Sequence, residues 1–583
     1  MTRYKNKIID WLSERMDELR LHLSRPDALI QLALLGMVTG LLAGGVIVAF
    51  RVAVEGSQSG FMPGGLAENF EALPVWARFL LPVLGGLLIG LVFHLHSGGL
   101  YVLGVARVME RMAYHQGHLT LRGFVLQFFG AAIAIISGHS VGREGPHIYL
   151  GAASGSLLGQ YLTLPNNSIR TMVGCGTAAG IAASFNTPLA GVIFALEVVM
   201  MEYTLASFIP VILSAVSATA ISYVVFGGEP AFAVPDMQLG SMSEIPLVLL
   251  LGVVAGMFSA LFVQLIKSVA GRVQGVPFWW RTTLAGVIVG LLAMVVPQVM
   301  GIGYDTVNAS LLGEIGLALL LLLTLTKLLA TVASVGMGIP GGMIGPALFI
   351  GSTLGSLMGL ALQTVLPQAE IDVGFYALLG MGAMMGASLQ APLAALTAMM
   401  ELTHTPQIIM PGMLVIVVAA LTASELFRKE SLFITMLKAS GLDYNTNPVM
   451  QALRRVGVAS VMGKSFERPE QVLELSAAEK LLEQRPEWLL VQGEEGPVAL
   501  MPALDLARYI QESDEIETID LMDIPARRED VAAIHIQATL QEALELLDGG
   551  GTEALYVERT TAPGIKRIYG VLTREQVESA YRY

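Results

Sequence analysis

The stretch Gly142-Arg-Glu-Gly-Pro-His-Ile-Tyr-Leu-Gly-Ala-Ala-Ser-Gly-Ser-Leu-Leu-Gly159 returns, 200 residues on and without a gap, as Gly342-Met-Ile-Gly-Pro-Ala-Leu-Phe-Ile-Gly-Ser-Thr-Leu-Gly-Ser-Leu-Met-Gly359. Eight of the 18 positions are identical, among them Gly142/Gly342, Gly145/Gly345 and Pro146/Pro346. The likeness runs on. Gly174-x-Gly176 and Gly180 match Gly380-x-Gly382 and Gly386, and Pro188-Leu-Ala before Glu197 matches Pro392-Leu-Ala before Glu401. Each Glu lies nine residues after its Pro, so the chain carries an internal duplication with a two-residue slip before the prolines.

Each copy has the form of a broken helix. Proline is tolerated in the first turn of a helix, so Pro146 and Pro346 mark helix starts, and the glycines before them let the backbone turn tightly. The bare N–H groups and positive dipole end of such a helix favour an anion. Two such ends converging inside a membrane make a dehydrated anion site without a full positive charge, which could hold the ion too tightly to release it. Glu144 sits in the first of these turns. Its carboxylate can occupy the pocket as a tethered anion, and protonation would withdraw it; an ionisable group at membrane depth is read as functional. Glu144 is therefore the expected gate and proton acceptor. The bland alternative makes Arg143–Glu144 a solvated loop pair, which the Gly/Pro frame disfavours.

The rest of the chain supplies the membrane. Of 583 residues 54% are hydrophobic and 14% charged, with a mean hydropathy of +0.65, whereas soluble domains carry about 25% charged residues. Apolar runs at 29–54, 76–96, 207–226, 246–268, 281–299, 312–335 and 409–426 are each long enough to span, about 20 residues. Shorter runs broken by Gly and Pro lie at 123–136, 147–163, 173–200, 346–366 and 375–402. Interrupted segments in corresponding halves point to a transporter binding site. The expected architecture is an all-α polytopic membrane domain over 28–440, with repeat halves at 28–227 and 245–440. Residues 1–27 read as an amphipathic cytoplasmic helix rather than a signal peptide, and their Lys/Arg content places the N-terminus in the cytoplasm.

After Phe427 the character changes. Residues 451–583 hold 24 acidic and 14 basic side chains, a net of -10 out of -13 for the whole chain, so the acidity describes a soluble tail. The region 441–583 reads as two α/β units, about 456–515 and 519–583. The first has Val458-Ala-Ser-Val-Met, a helix near 476–484, a strand at Trp488-Leu-Leu-Val-Gln and a helix at 502–511. The second has Ile519-Asp-Leu-Met, a helix at 540–548, a strand at Ala554-Leu-Tyr-Val and Tyr569-Gly-Val-Leu-Thr-Arg-Glu-Gln before a last helix. This order resembles a pair of CBS modules. Nucleotide-binding members carry Ser/Thr-x-x-Asp; here Thr573-Arg-Glu-Gln576 lacks the acid and Pro502-Ala-Leu-Asp505 lacks the hydroxyl. Adenine nucleotide is thus unsupported, and a structural or dimerising role is expected.

The membrane motifs resemble the CLC family of chloride channels and proton-coupled chloride exchangers over about residues 30–440. The resemblance implies that the internal repeat is inverted, and that the protein is a homodimer with one pore per subunit, in the plasma (inner) membrane with N-terminus and tail cytoplasmic. It implies anion contacts from Gly142, Arg143, Gly145, Pro146, Gly342 and Gly345, and from the backbone N–H groups of Met343 and Ile344, with Glu144 as the gating glutamate. Three positions depart from the family pattern. Leu103 stands where a coordinating Ser is usual, Phe433 where a late Tyr is usual, and Val198 where many exchangers carry an inner proton glutamate. The resemblance and these departures together imply weak central binding, relaxed anion selectivity and transport that is channel-like or weakly proton-coupled, with a nonstandard exchanger as the alternative.

Other charges have plainer readings. Lys327, inside the run Leu317–Ala333, supplies either a positive potential or a snorkelling or paired lysine. Glu197, Glu202 and Glu401 read as structural groups near helix ends. His139 and His147 read as hydrogen-bonded loop histidines rather than pH sensors. A CBS-linked divalent-cation transporter would need clustered membrane carboxylates, and a membrane protease would need His-Glu-x-x-His; the sequence has neither. The single Cys175 excludes an intrachain disulfide and a Cys-based metal cage. No basic patch with interleaved aromatics points to nucleic acid. No enzymatic activity and no cofactor are expected.

Overall fold

A computed structural model describes residues 20–21, 23–25, 28–97, 104–228, 232, 242–367, 371–403, 408–442, 448–494, 496–513, 517–549, 551–562 and 565–580. The expectation for 1–27 lies almost wholly outside them, and the one for Leu103 wholly. The chain divides into two compact units, one of residues 32–161 with 170–444, the other containing 445–583 with 162–169 and the described residues before 32.

The larger unit is helical. In chain order its helices are α1 (Leu29–Phe61), α2 (Val75–Ser97), α3 (Gly104–Tyr114), α4 (Leu121–Ile136), α5 (Glu144–Tyr161), α6 (Asn166–Phe185), α7 (Pro188–Phe194), α8 (Leu205–Phe226), α9 (Ile245–Arg272), α10 (Phe278–Val295), α11 (Tyr304–Leu311), α12 (Leu317–Gly336), α13 (Ile344–Val365), α14 (Val373–Leu389), α15 (Pro392–Thr403), α16 (Ile409–Leu421) and α17 (Leu432–Ala439). Among the described residues, eight helices are long and apolar enough to cross a bilayer: α1, α2, α8, α9, α10, α12, α13 and α16 with its continuation to Leu426. The run at 346–366 was expected to be interrupted. It is instead one unbroken 22-residue helix, α13, because its Pro346 falls in the first turn, where no helical hydrogen bond is lost.

The two halves repeat their packing. α5 crosses α6 so closely that a Cβ on Gly151 would lie 2.1 Å from the Gly176 carbonyl oxygen, and α13 crosses α14 with Gly351 in the same relation to Gly380 at 2.4 Å. The equivalent Gly151 and Gly351, each facing a glycine of the next helix, let the helix backbones touch, as in membrane helix pairs generally. The halves also exchange caps. The Glu197 carboxylate accepts the N–H groups of Leu393 (3.2 Å) and Ala394 (2.7 Å) at the start of α15. Glu401 accepts those of Leu189 (3.0 Å) and Ala190 (2.7 Å) at the start of α7. Each repeat thus closes the bare helix end of the other, the structural use expected for these two acids.

The second unit holds helices α18 (Pro448–Arg454), α19 (Val458–Val461), α20 (Leu475–Glu483), α21 (Ala503–Glu512), α22 (Leu540–Gly549) and α23 (Arg574–Ser579). Its strands are β1 (Phe466–Glu467), β2 (Val472–Glu474), β3 (Trp488–Gly493), β4 (Gly496–Pro502), β5 (Thr518–Asp520), β6 (Glu529–His535), β7 (Ala554–Ala562) and β8 (Ile565–Thr573). One sheet runs β1-β3-β4-β6-β7-β8, and β2 pairs with β5 apart from it. Twice over, a strand, a helix, a parallel strand, an antiparallel strand and a helix follow one another.

Each of the two leading apolar segments packs in the core of the other α/β unit. Ile519, Leu521 and Ile524 pack in the core of Leu489, Val491 and Met501, while Val458 and Met462 pack with Leu540, Leu555 and Leu572. The leading apolar segments are exchanged between the modules; a short apolar stretch shows that it will be buried, but not by which neighbour. The two incomplete nucleotide motifs are occupied locally. Thr573 and Gln576 form a reciprocal capping box at α23, and Asp505 accepts the Arg527 N–H at 3.1 Å.

A carboxylate cap on a helix start contributes about 1–2 kcal/mol. Glu401→Ala should therefore lower the melting temperature of the detergent-solubilised protein, with Glu197→Ala doing the same. Thermal denaturation followed by size-exclusion fluorescence checks both.

Candidate functional site

Gly142 and Gly342 are equivalent in the duplication, and their backbones pair with each other. The Gly142 N–H donates to the Gly342 carbonyl at 2.8 Å, and the Gly342 N–H donates to the Gly142 carbonyl at 2.6 Å, in antiparallel register. An antiparallel pair of equivalent residues places a local two-fold axis between the repeats and points them in opposite directions. It also pins the starts of α5 and α13 together. The approach leaves no room for side chains: a Cβ on Gly145 would lie 2.7 Å from the Gly342 Cα. The two proline-marked helices therefore converge, as the sequence predicts.

Glu144 opens α5 and is fully buried. Its carboxylate lies at the start of α13, where Oε2 accepts the Gly345 N–H at 3.1 Å. Oε1 accepts the hydroxyl of Tyr304. A Cβ on Gly142 would stand 2.1 Å from Oε2, so glycine at 142 is what leaves room for the carboxylate. The helix end offers roughly half a positive charge. That and two donors hold the carboxylate against the start of α13.

Tyr304 was missed by the sequence reading. It stands alone, with no counterpart in the repeat alignment. It follows Gly303, whose φ of +80° suits glycine, and starts α11. Its ring meets Phe232 at 5.3 Å and Phe185 at 6.0 Å between centroids, and the Arg143 guanidinium lies 5.3 Å from its centroid. Lys327 fixes the approach to it. Fully buried, its Nζ donates to the carbonyls of Val299 (3.1 Å), Gly301 (2.9 Å) and Ile302 (3.3 Å) and sits 4.7 Å from the Phe349 ring centroid. It does not snorkel; it holds the turn that delivers Tyr304. A lysine in an apolar run demands such acceptors, and that demand was the available signal for this turn.

Two cavities flank Glu144. One, about 640 Å³, is lined by Arg51, Glu55, Glu68, Arg143, Tyr304 and Asp305 among others. Here Arg143 pairs with Glu55 at 3.3 Å, so its charge faces this cavity rather than the carboxylate pocket. The other, about 130 Å³, is lined by Gly145, Gly342, Met343, Ile344 and Phe433 among others. Arg143 belongs to the first wall and Gly145 to the second, with the buried Glu144 between them. Pro146 is buried in the first turn of α5.

Phe433 is buried on α17 and packs edge-on against Phe194 at 6.3 Å. Val198 is buried in the π-helical turn that continues α7 and lines a separate cavity of about 430 Å³ beside Glu197. Glu202 accepts the Ser207 hydroxyl. Of the two histidines read as loop residues, His139 lies in a loop and His147 does not. His147 lies inside α5, buried, with Nδ1 2.9 Å from the Ser184 hydroxyl, and His139 is fully buried in the turn before it. Among the described residues no group of three or more His, Cys, Asp or Glu could hold a metal ion.

Residues 85–424 match the family model described as voltage gated chloride channel. The chain belongs to this family. A protein of Ralstonia nicotianae described as "Putative chloride channel protein ClcB-like" is 37% identical over 365 residues, 62% of this chain and 85% of its own length. The "Voltage-gated ClC-type chloride channel ClcB" of Escherichia coli is 30% identical, covering 69% and 97%. The "H(+)/Cl(-) exchange transporter ClcA" of Vibrio cholerae is 29% identical, covering 68% and 86%. In fold, a crystal structure titled "a slow cyanobacterial Cl-/H+ antiporter" matches 70% of this chain and 97% of its own at a TM-score of 0.63 and 22% identity. A "eukaryotic CLC transporter" matches 94% and 98% at 0.61 and 19%. The chain is a multi-pass CLC-type anion transport protein, and its relatives carry both channel and exchanger names.

Removing the Tyr304 hydroxyl deletes one of the two donors that hold the Glu144 carboxylate. A hydrogen bond to a charged group is worth about 1.5–3 kcal/mol. Tyr304→Phe should therefore raise anion flux in liposomes at neutral pH, by roughly tenfold if release of Glu144 limits the rate.

Proposed function

We propose that the chain passes chloride or a similar small anion through the position now filled by the Glu144 carboxylate, in a channel-like or weakly proton-coupled manner. Glu144 is the gate: protonation weakens its hold on the Gly345 N–H and the Tyr304 hydroxyl, and the anion takes its place. The observation that carries this reading is the buried carboxylate at the start of α13, between a cavity on the Arg143 side and one on the Phe433 side. Gly142, Gly145, Pro146, Gly342 and Gly345 shape the site, and Met343 and Ile344 line the Phe433 side.

Weak coupling is supported by the inner path. Val198 cannot carry a proton, and its neighbour Glu197 has both carboxylate oxygens engaged in capping α15. A full exchanger remains the second reading, since Glu197 still borders an open cavity and one relative carries an exchanger name. The assembly we propose is a homodimer in the plasma membrane, with the N-terminus and the tail cytoplasmic. The tail is read as a CBS pair with a structural role, because its repeated strand–helix–strand–strand–helix order suits such modules. Its two motif positions are tied up by Gln576 and by the Arg527 backbone.

The test is anion flux from liposomes with and without a proton gradient, for wild type and Glu144→Gln. The expected result is faster, pH-insensitive flux for Glu144→Gln and little uphill proton movement driven by chloride in wild type. Chloride-driven uphill proton pumping at fixed stoichiometry would establish the exchanger instead.

A further inference from the structure

Arg281, in the first turn of α10, is 5% exposed and lines the cavity of about 130 Å³ shared with Gly342, Met343, Ile344 and Phe433. Among the described residues its side chain makes no hydrogen bond and no ion pair, and its Nε is buried without a partner. Its near neighbour is the Phe278 ring, 5.9 Å from the guanidinium carbon to the centroid. Among the described residues, no Asp or Glu belongs to the cavity wall. Lys327, by contrast, is buried with three carbonyl acceptors. A guanidinium carries five N–H donors and does not lose its proton in a protein. Burying such a charge unpaired is costly, so the cavity is built for a counter-ion that arrives from outside the chain.

The same cavity contains Phe433, which has no hydroxyl to offer an anion. Of the other polar side chains on its wall, Gln274 donates to the Ala439 carbonyl and Ser440 to the Met436 carbonyl, so Arg281 is the charged donor there. We infer that Arg281 is a side-chain anion ligand in this cavity, and that its planar fork favours a small oxyanion such as nitrate over chloride. The fork meets two oxygens of a planar anion at once, whereas a spherical halide uses it less fully. This inference rests on the transport reading for how the anion arrives, and it adds a ligand outside the two repeated turns.

The experiment is calorimetric titration of the full-length, detergent-solubilised protein with sodium nitrate and with sodium chloride, for wild type, Arg281→Lys and Arg281→Gln, leaving Glu144 in place. Wild type should bind nitrate more tightly than chloride. Arg281→Gln should weaken both by about tenfold or more. Arg281→Lys keeps the charge but not the fork, so chloride affinity should stay within a few-fold of wild type while the preference for nitrate disappears. Wild-type affinities in Arg281→Gln, or an unchanged nitrate preference in Arg281→Lys, would overturn the assignment. If Arg281→Gln does not fold, the Arg281→Lys arm decides alone. Parallel liposome flux of wild type separates the two levels: a protein that binds nitrate through Arg281 but moves no anion refutes the transport reading and leaves this site standing.

Discussion

Two backbone hydrogen bonds between Gly142 and Gly342 set the geometry on which the rest depends. They tie equivalent points of a duplicated chain across a local two-fold axis and bring two helix starts to one place. A side chain at either glycine would intrude on the Glu144 carboxylate or on the backbone of the other repeat. Taking an ion out of water costs several kcal/mol even after relaxation. A helix end with its donors already aimed recovers part of that cost without further ordering. In the proposed mechanism the carboxylate resting there is the chain's own substitute for the ion.

The charged groups deep in the helical unit divide by what they are given to bond. Glu197 and Glu401 satisfy helix ends in the opposite repeat, and Lys327 satisfies the carbonyls of a turn. These three hold backbone in place and have their bonding needs met. Glu144 is held by a single amide and a single hydroxyl, a grip that can be released. Arg281 has no acceptor among the described residues. Structural and functional charges therefore separate here by hydrogen-bond satisfaction rather than by depth.

Much of this was legible in the sequence because duplication writes the same pattern twice. The 200-residue offset set Gly142 opposite Gly342, the Pro residues marked both helix starts, and Glu144 stood out as an acid in a Gly/Pro frame. The apolar runs located the long helices. Tyr304 and Arg281 were not legible. Each appears once, outside the repeated motifs, and reaches the site through tertiary packing that no local spacing encodes. Arg281 even falls at the edge of an apolar run, where it reads as an ordinary flanking charge. The tail was legible in element order but not in which leading segment completes which core. The strands β1, β2, β4 and β6 also escaped notice.

The most direct measurement of the central claim is anomalous scattering from bromide-soaked crystals of the Glu144→Gln variant. The account predicts a bromide peak in the space vacated by the carboxylate, within hydrogen-bond reach of the Gly345 N–H and the Tyr304 hydroxyl. Bromide bound elsewhere in the helical unit, with that space left empty or filled by the variant's own side-chain amide even at saturating halide, would contradict it.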